Sequence, residues 1–222
     1  MFDGLLFDLD GTPWVSVDAI CISWNRALER LAPEYAGTVT RARLRPCMGM
    51  LLPDILHRLG PKLDQERMKP ILEEVLVEEN AYVAAHGGVL YPGVEQTLAV
   101  LAARWPLFLV SNCQDGSIEA FFQAHGLGRY FTDYENPGRT GLPKADNIAL
   151  VAERNGPRRP LHIGDTQGEY DPASKAGVPF LHSAYGLGTL ARPAPPVATR
   201  TLRAGLACNL PHYVAQAPQT AA

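Results

Sequence analysis

Cysteine is scarce in this chain. The four present, Cys21, Cys47, Cys113 and Cys208 in 222 residues, show no Cys-x-x-Cys spacing. That argues against both a disulfide framework and a zinc-binding cysteine cluster. No stretch approaches the roughly 18 consecutive apolar residues of a membrane-spanning helix, so no membrane partner is expected. The opening Met1-Phe2-Asp3 lacks the positive start of a signal peptide, and a cytoplasmic location is the expectation. An excess of one charge is missing too. Twenty Lys and Arg stand against 23 Asp and Glu, a net charge of −3, so no basic field points to nucleic acid. No internal repeat is visible, and the one compositional bias is a proline-rich stretch at residues 192–196. Hydrophobic residues make up 46% of the chain, enough for a sizeable core, in one large domain or a core plus a smaller one.

What is present is concentrated near the N-terminus, in Phe7-Asp8-Leu9-Asp10-Gly11-Thr12-Pro13. Residues 1–6 are short and apolar, as a buried strand would be. Asp8 and Asp10 are two residues apart, so along a strand or its extension they face the same side. Gly11 then frees the backbone to turn. In open α/β sheets the carboxyl ends of strands are where ligands bind. Two carboxylates crowded there repel, and hard oxygen donors of this kind suit Mg²⁺.

Beyond Thr12 the pattern turns helical. Ile20, Trp24, Leu28 and Leu31 recur at spacings of three and four, and residues 51–59 and about 64–85 follow as two further helices. In the last of these Met68, Ile71, Leu72, Val75, Leu76 and Tyr82 are expected on the packed side, and Glu73, Glu74, Glu78 and Glu79 on a solvated side. His86-Gly87-Gly88 reads as a hinge or as a plain helix stop. Val94, Leu98, Leu101 and Trp105 mark a helix ended by Pro106. Strand and helix then alternate. Leu107–Val110 is a short apolar run typical of a buried parallel strand; Ile118, Phe121 and Phe122 lie on a helix closed by Gly126. A strand near residues 130–134 is expected next, then a helix over 144–155, a strand at 161–163, a helix over 172–176 capped by Asp171, and a strand at 179–182. This βαβ logic predicts an α/β fold with a parallel sheet covered on both faces. For the tail, an edge strand at 199–203, a short helix at 210–214 and disorder from 215 onward are expected.

Three more pieces follow Asp8 and Asp10 in order: Val110-Ser111-Asn112 at the end of one apolar run, Lys144 at a helix start, and Ile163-Gly164-Asp165-Thr166 at the end of another run. This set and order resemble the haloacid dehalogenase-like (HAD) hydrolase superfamily, most closely its phosphoglycolate phosphatase-like members, over about residues 1–190. The resemblance implies a Rossmann-like parallel-sheet core (residues 1–14 and 87–222) with an all-helical cap inserted at 15–86. It implies Mg²⁺-dependent hydrolysis of a small phosphorylated metabolite through an aspartyl-phosphate, in a monomer or homodimer. Asp8 would be the nucleophile. Asp10 would protonate the leaving alcohol and then activate water, a role that needs a raised pKa. Thr12, Ser111 and Asn112 would contact the substrate phosphate, and Lys144 would supply positive charge and steady the nucleophile. Asp8, Asp10 and Asp165 would hold the metal, with Glu169 binding it through water or orienting Asp165.

The chain also departs from the family pattern. Pro13 stands where an aliphatic residue is usual, no acidic residue lies near Val15, Glu169 is one methylene longer than the usual second acid, and the segment after Gly188 is rich in Pro and Arg. Cys113 lies beside the site without an evident base. His162 and His182 read as core histidines, Trp14 as packing for the cap linker, and Arg41, Arg43 and Arg45 as a solvated cap face or contacts to an anionic substrate tail. A β-phosphoglucomutase-like phosphotransferase shares the two aspartates, and a non-catalytic phosphometabolite-binding protein could use the same fold. A haloacid dehalogenase fits less well, because those members lack the second aspartate.

Overall fold

Gly4–Phe7 (β1) carries the chain straight into the middle of a six-stranded sheet. The computed structural model describes residues 2–59, 65–191, 201–202 and 210. After β1 come the two-residue strand Trp14–Val15 (β2) and the helices Val17–Leu31 (α1), Arg41–Leu44 (α2), Leu52–Leu59 (α3) and Gln65–His86 (α4). Val89–Leu90 (β3) then pairs antiparallel with β2, so the two chain crossings between helices and core form one small ribbon. The remainder alternates: Val94–Ala102 (α5), Leu107–Val110 (β4), Ser117–His125 (α6), Asp133–Glu135 (β5), Pro137–Thr140 (α7), Lys144–Asn155 (α8), Pro160–Gly164 (β6), Gln167–Lys175 (α9), Phe180–Ser183 (β7) and Thr201–Leu202 (β8).

The sheet order is β5-β4-β1-β6-β7-β8, with every pairing parallel. β1 alternates its side chains between two cores, as a strand must. Leu5 and Phe7 join Leu98, Leu109, Phe121 and Ile163 on one face, while Leu6 joins Phe108, Val110, Ile148, Val151 and Phe180 on the other. The α/β Rossmann-like reading therefore holds. The helical insert has its own core, in which Val17, Ile20, Trp24 and Leu28 of α1 meet Leu44, Leu56, Ile71 and Val75. No helix among the described residues is long and apolar enough to cross a membrane.

Several local expectations shift. Leu31, the last residue of α1, is 42% exposed. Residues 127–130 wind into a 3₁₀ turn, so the strand expected from Tyr130 starts at Asp133. The helix expected over 172–176 begins five residues earlier, with Thr166 at its N-cap. Asp171 is inside that helix and accepts from Gln167 Nε2 (2.7 Å) instead of capping it. Pro172 is tolerated there although it leaves the Gly168 carbonyl without its usual helical donor. The edge strand of the tail is present as β8, parallel to β7. Leu210 is helical and buried, whereas 211–214, the tail from 215 and the proline-rich stretch at 192–196 lie outside the described residues.

Candidate active site

Asp8 follows β1 directly and is 3% exposed. Its amide donates to the Ile163 carbonyl of the neighbouring β6 (2.8 Å), extending the ladder and fixing the residue at the carboxyl edge of the sheet. β4 leads into Ser111 and β6 into Asp165, so the three neighbouring strands deliver their polar residues to one edge. That placement is the consequence of parallel strands with a common direction.

Lys144, the first residue of α8, reaches into this edge. Its Nζ donates to Asp8 Oδ1 (2.8 Å) and to Glu169 Oε2. Glu169 Oε2 also meets His162 Nε2 at 3.1 Å. All four residues are 3% exposed or less. Burial raises the Asp8 and Glu169 pKa values, and the Glu169 charge adds to the effect on Asp8, while Lys144 opposes it. Burial works against the Lys144 charge, but the two carboxylates outweigh it and hold the ammonium above its usual range. Burial, with Lys144 beside it, pushes His162 down to about 3, so the ring is neutral and donates through Nε2. Glu169, expected to serve a metal or to orient Asp165, therefore holds Lys144. His162, expected as a plain core histidine, is the second partner of Glu169.

Asp10 turns toward the start of the helical insert. Its Oδ1 accepts from Ser16 N (2.9 Å) and Ser16 Oγ (2.5 Å). Burial raises its pKa to about 7, against the opposing Ser16 bonds and helped by the Asp8 charge. Asp165 is likewise raised to about 7 by burial and by Asp8; its Oδ2 accepts from Leu187 N (2.6 Å) and Gly188 N (3.0 Å). Gly11 makes this close packing possible. It has φ +84°, and a Cβ there would stand 2.1 Å from Asp165 Oδ2. Gly11→Ala is expected to cost about 1–3 kcal/mol of stability from strain and to displace Asp165. Urea unfolding checks the first effect, and an unchanged midpoint would remove the steric argument.

A cavity opens between this edge and the helical insert. Asp8, Asp10, Ser111, Asn112 and Cys113 line its floor. Burial first, then Asp8 and Asp10, push the Cys113 thiol far up, so it is not a ready nucleophile. Asn112 also ties floor to roof, since its Nδ2 donates to the Gly49 carbonyl (3.0 Å). Thr12 does not line the cavity. It is fully buried, and its carbonyl accepts from Tyr185 OH (3.0 Å). Glu79, expected on a solvated face, lines the roof and accepts from Trp24 Nε1 (2.5 Å). A signal for it existed: Ile71, Val75, Glu79 and Val83 share one helical stripe, and the other three are buried.

The acidic residues suit a small hard cation. Asp8, Asp10 and Asp165 offer oxygen donors only, and Asp165 Oδ1 is buried without a partner. Among the described residues no three acidic, His or Cys side chains already enclose an ion position. Backbone oxygen and water would complete the shell, as suits a cation that keeps part of its hydration.

A family model described as haloacid dehalogenase-like hydrolase matches residues 5–182. Phosphoglycolate phosphatases of Shigella boydii serotype 4 and Escherichia coli O157:H7 are each 29% identical over 215 residues, covering 82% of this chain and 81% of theirs. Among solved structures, a haloacid dehalogenase-like family hydrolase from Streptococcus pneumoniae superposes with TM-score 0.71 at 18% identity, covering 85% of this chain and 87% of that one. A structure described as a predicted phosphoglycolate phosphatase, from Haemophilus somnus 129pt, gives 0.71 at 21% identity, with 84% and 87% covered. At these identities the structural likeness establishes the fold.

Proposed function

This chain belongs to the haloacid dehalogenase-like hydrolase family, and from that membership we propose that it is a Mg²⁺-dependent phosphatase of a small phosphomonoester, acting through an aspartyl-phosphate on Asp8. The observation that carries the reading is the Lys144 ammonium on Asp8 Oδ1, where Asp8 lines the floor of a cavity with Asp10 and Ser111. Lys144 opposes the rise that burial imposes on the Asp8 pKa and fixes the orientation of its carboxyl group, which is what a carboxylate nucleophile needs. The Asp8 oxygen not held by Lys144 attacks phosphorus, and the bond to the leaving alcohol breaks. Asp10, with a pKa of about 7, can carry the proton that the leaving alkoxide takes, and afterwards accept one from water attacking the phosphoaspartate. The Ser111 hydroxyl and the Asn112 amide would hold the transferring phosphoryl oxygens. Mg²⁺, held by Asp8, Asp165 and the Asp10 carbonyl, would supply positive charge against the phosphoryl group. Glu169 and His162 act through Lys144 as positioning residues. Residues 15–86 serve as the cap that closes the cavity and keeps water from the chemistry.

Phosphate release from a panel of small phosphomonoesters, with Mg²⁺ and with EDTA, tests the reading. Metal-dependent release is the expected outcome; transfer to a second position of a sugar phosphate without net release would indicate a phosphotransferase instead. A second expectation concerns stability. Asp165 moves from 3.8 to about 7 on folding, so the folded protein binds more protons than the unfolded chain between those values. With EDTA present, stability therefore falls as pH rises from about 4 to 7, by up to about 4 kcal/mol for this group. Mg²⁺ should flatten that slope, because a bound cation removes the reason for the raised pKa. Urea midpoints across this range, with and without Mg²⁺, measure it, and identical slopes would argue against a cation at Asp165.

A further inference from the structure

The roof of the cavity differs in chemistry from its floor. Ile20, Trp24, Leu44, Met50, Leu52 and Ile55 give it an apolar wall, and among the described residues Glu79 is the one charged group that the helical insert contributes. No lysine or arginine among the described residues lines this cavity. The cap arginines are placed elsewhere: Arg41 pairs with Asp18, Arg43 donates to the Thr38 and Leu59 carbonyls (2.6 and 2.9 Å), and Arg45 lines a separate cavity against residues 166–168 and 187–189. Trp24 Nε1 donates to Glu79 Oε2, and Glu79 lines the cavity above the floor. Burial, with Asp10 adding to it, raises the Glu79 pKa to about 7, which is the mark of a carboxylate without a cationic partner.

Resting on the phosphatase reading, we propose that this cavity selects a phosphomonoester whose alcohol has an apolar body and ends in an ammonium group that pairs with Glu79, and that it discriminates against esters bearing a carboxylate. Two physical terms set the preference. The apolar wall gains free energy only from a leaving group with carbon surface to cover it. A two-carbon acid such as glycolate leaves that wall uncovered and brings a negative charge toward Glu79 and Asp10. Like charges in a desolvated cavity repel, and the unfavourable partner is excluded as much as the favourable one is attracted.

Calorimetric titration with non-hydrolysable phosphonates, in the presence of Mg²⁺, reads the preference without relying on turnover. The probes are 2-[4-(aminomethyl)phenyl]ethylphosphonate, 2-phenylethylphosphonate and 3-phosphonopropionate. For the wild type the aminomethyl compound is expected to bind about tenfold or more tighter than the phenyl compound, the scale of a charged hydrogen bond. The phenyl compound should bind more tightly than phosphonopropionate. In Glu79→Gln, which keeps an acceptor for Trp24, the gain from the amine should fall to within about twofold while phenyl binding is retained, which also shows the variant is folded. The proposal is overturned if phosphonopropionate binds as tightly as the phenyl compound, if the amine gain survives Glu79→Gln, or if none of the three binds. Phosphate release from the matching esters separates this from the parent reading. Binding in the expected order with no release from any ester would sink the phosphatase and leave the selectivity standing. Release fastest from phosphoglycolate would do the reverse.

Discussion

Asp8→Asn is expected to abolish phosphate release, with a fall on the order of 10⁴-fold or more, while leaving the protein as stable as the wild type or more so. The first half follows from chemistry. An amide oxygen carries no charge to attack phosphorus, and its nitrogen is not nucleophilic, so no aspartyl-phosphate forms. The second half follows from charge. In the wild type one buried ammonium, Lys144, serves two buried carboxyl groups, Asp8 and Glu169, so when both are ionised one negative charge is uncompensated. Burial and the Glu169 charge both raise the Asp8 pKa, which means the ionised form is held at a cost to stability. Asn removes that charge, keeps an acceptor for Lys144 and leaves a one-to-one pair with Glu169. Phosphate release and thermal unfolding of the same preparation read both halves together. Retention of more than about 1% of wild-type turnover would exclude Asp8 as the nucleophile, since a residue that acts only by electrostatics is seldom worth more than that. A lost activity accompanied by a lowered melting temperature would leave the loss attributable to damage, and the charge argument would be wrong.

The parts of this site that could be read from the sequence are those set by local pattern. Asp8 and Asp10 are two residues apart at the end of an apolar run, and a strand puts them at one edge wherever the rest of the chain goes. Ser111 and Asp165 end similar runs, and Lys144 opens a helix with clear periodicity. The parts that were not legible depend on which element lies opposite. Glu169 follows the β6 edge in the same way whether it faces a cation or an ammonium, and only the approach of α8 decides that it holds Lys144. His162 in an apolar strand gives no sign that its Nε2 will meet a carboxylate seven residues on. Thr12 belongs to the same motif as Asp10, yet the turn after Gly11 carries it away from the cavity toward Tyr185. The β2–β3 ribbon could not be foreseen from two-residue strands, which are too short to show a period. Glu79 is a different case. Its position on the stripe of Ile71, Val75 and Val83 was present in the sequence, but a run of four glutamates within seven residues suggested solvent, and composition outweighed spacing.

Lys144→Met is expected to have the largest effect on stability, about 3–5 kcal/mol at pH 8, because it removes the shared cation and leaves Asp8 and Glu169 facing each other without it. Methionine fills most of the volume, so packing alone would cost far less. His162 cannot take over, since its pKa is held down to about 3 and its neutral ring only donates one hydrogen bond to Glu169. The loss should depend on pH in a way that packing damage would not. In the wild type both carboxylates are already raised by burial, and Lys144 lowers them. Without Lys144 they rise further above their unfolded values, so the folded variant binds more protons than the unfolded chain. Its stability must then fall with increasing pH more steeply than that of the wild type, and most of the loss should be recovered near pH 5. Glu169→Gln in the Lys144→Met background removes one of the two charges and should restore part of the stability at pH 8. Urea unfolding of the three proteins between pH 5 and 8 decides the matter. Parallel curves for Lys144→Met and wild type would mean that Lys144 holds its place by packing, and the electrostatic role assigned to it beside Asp8 would fall with that result.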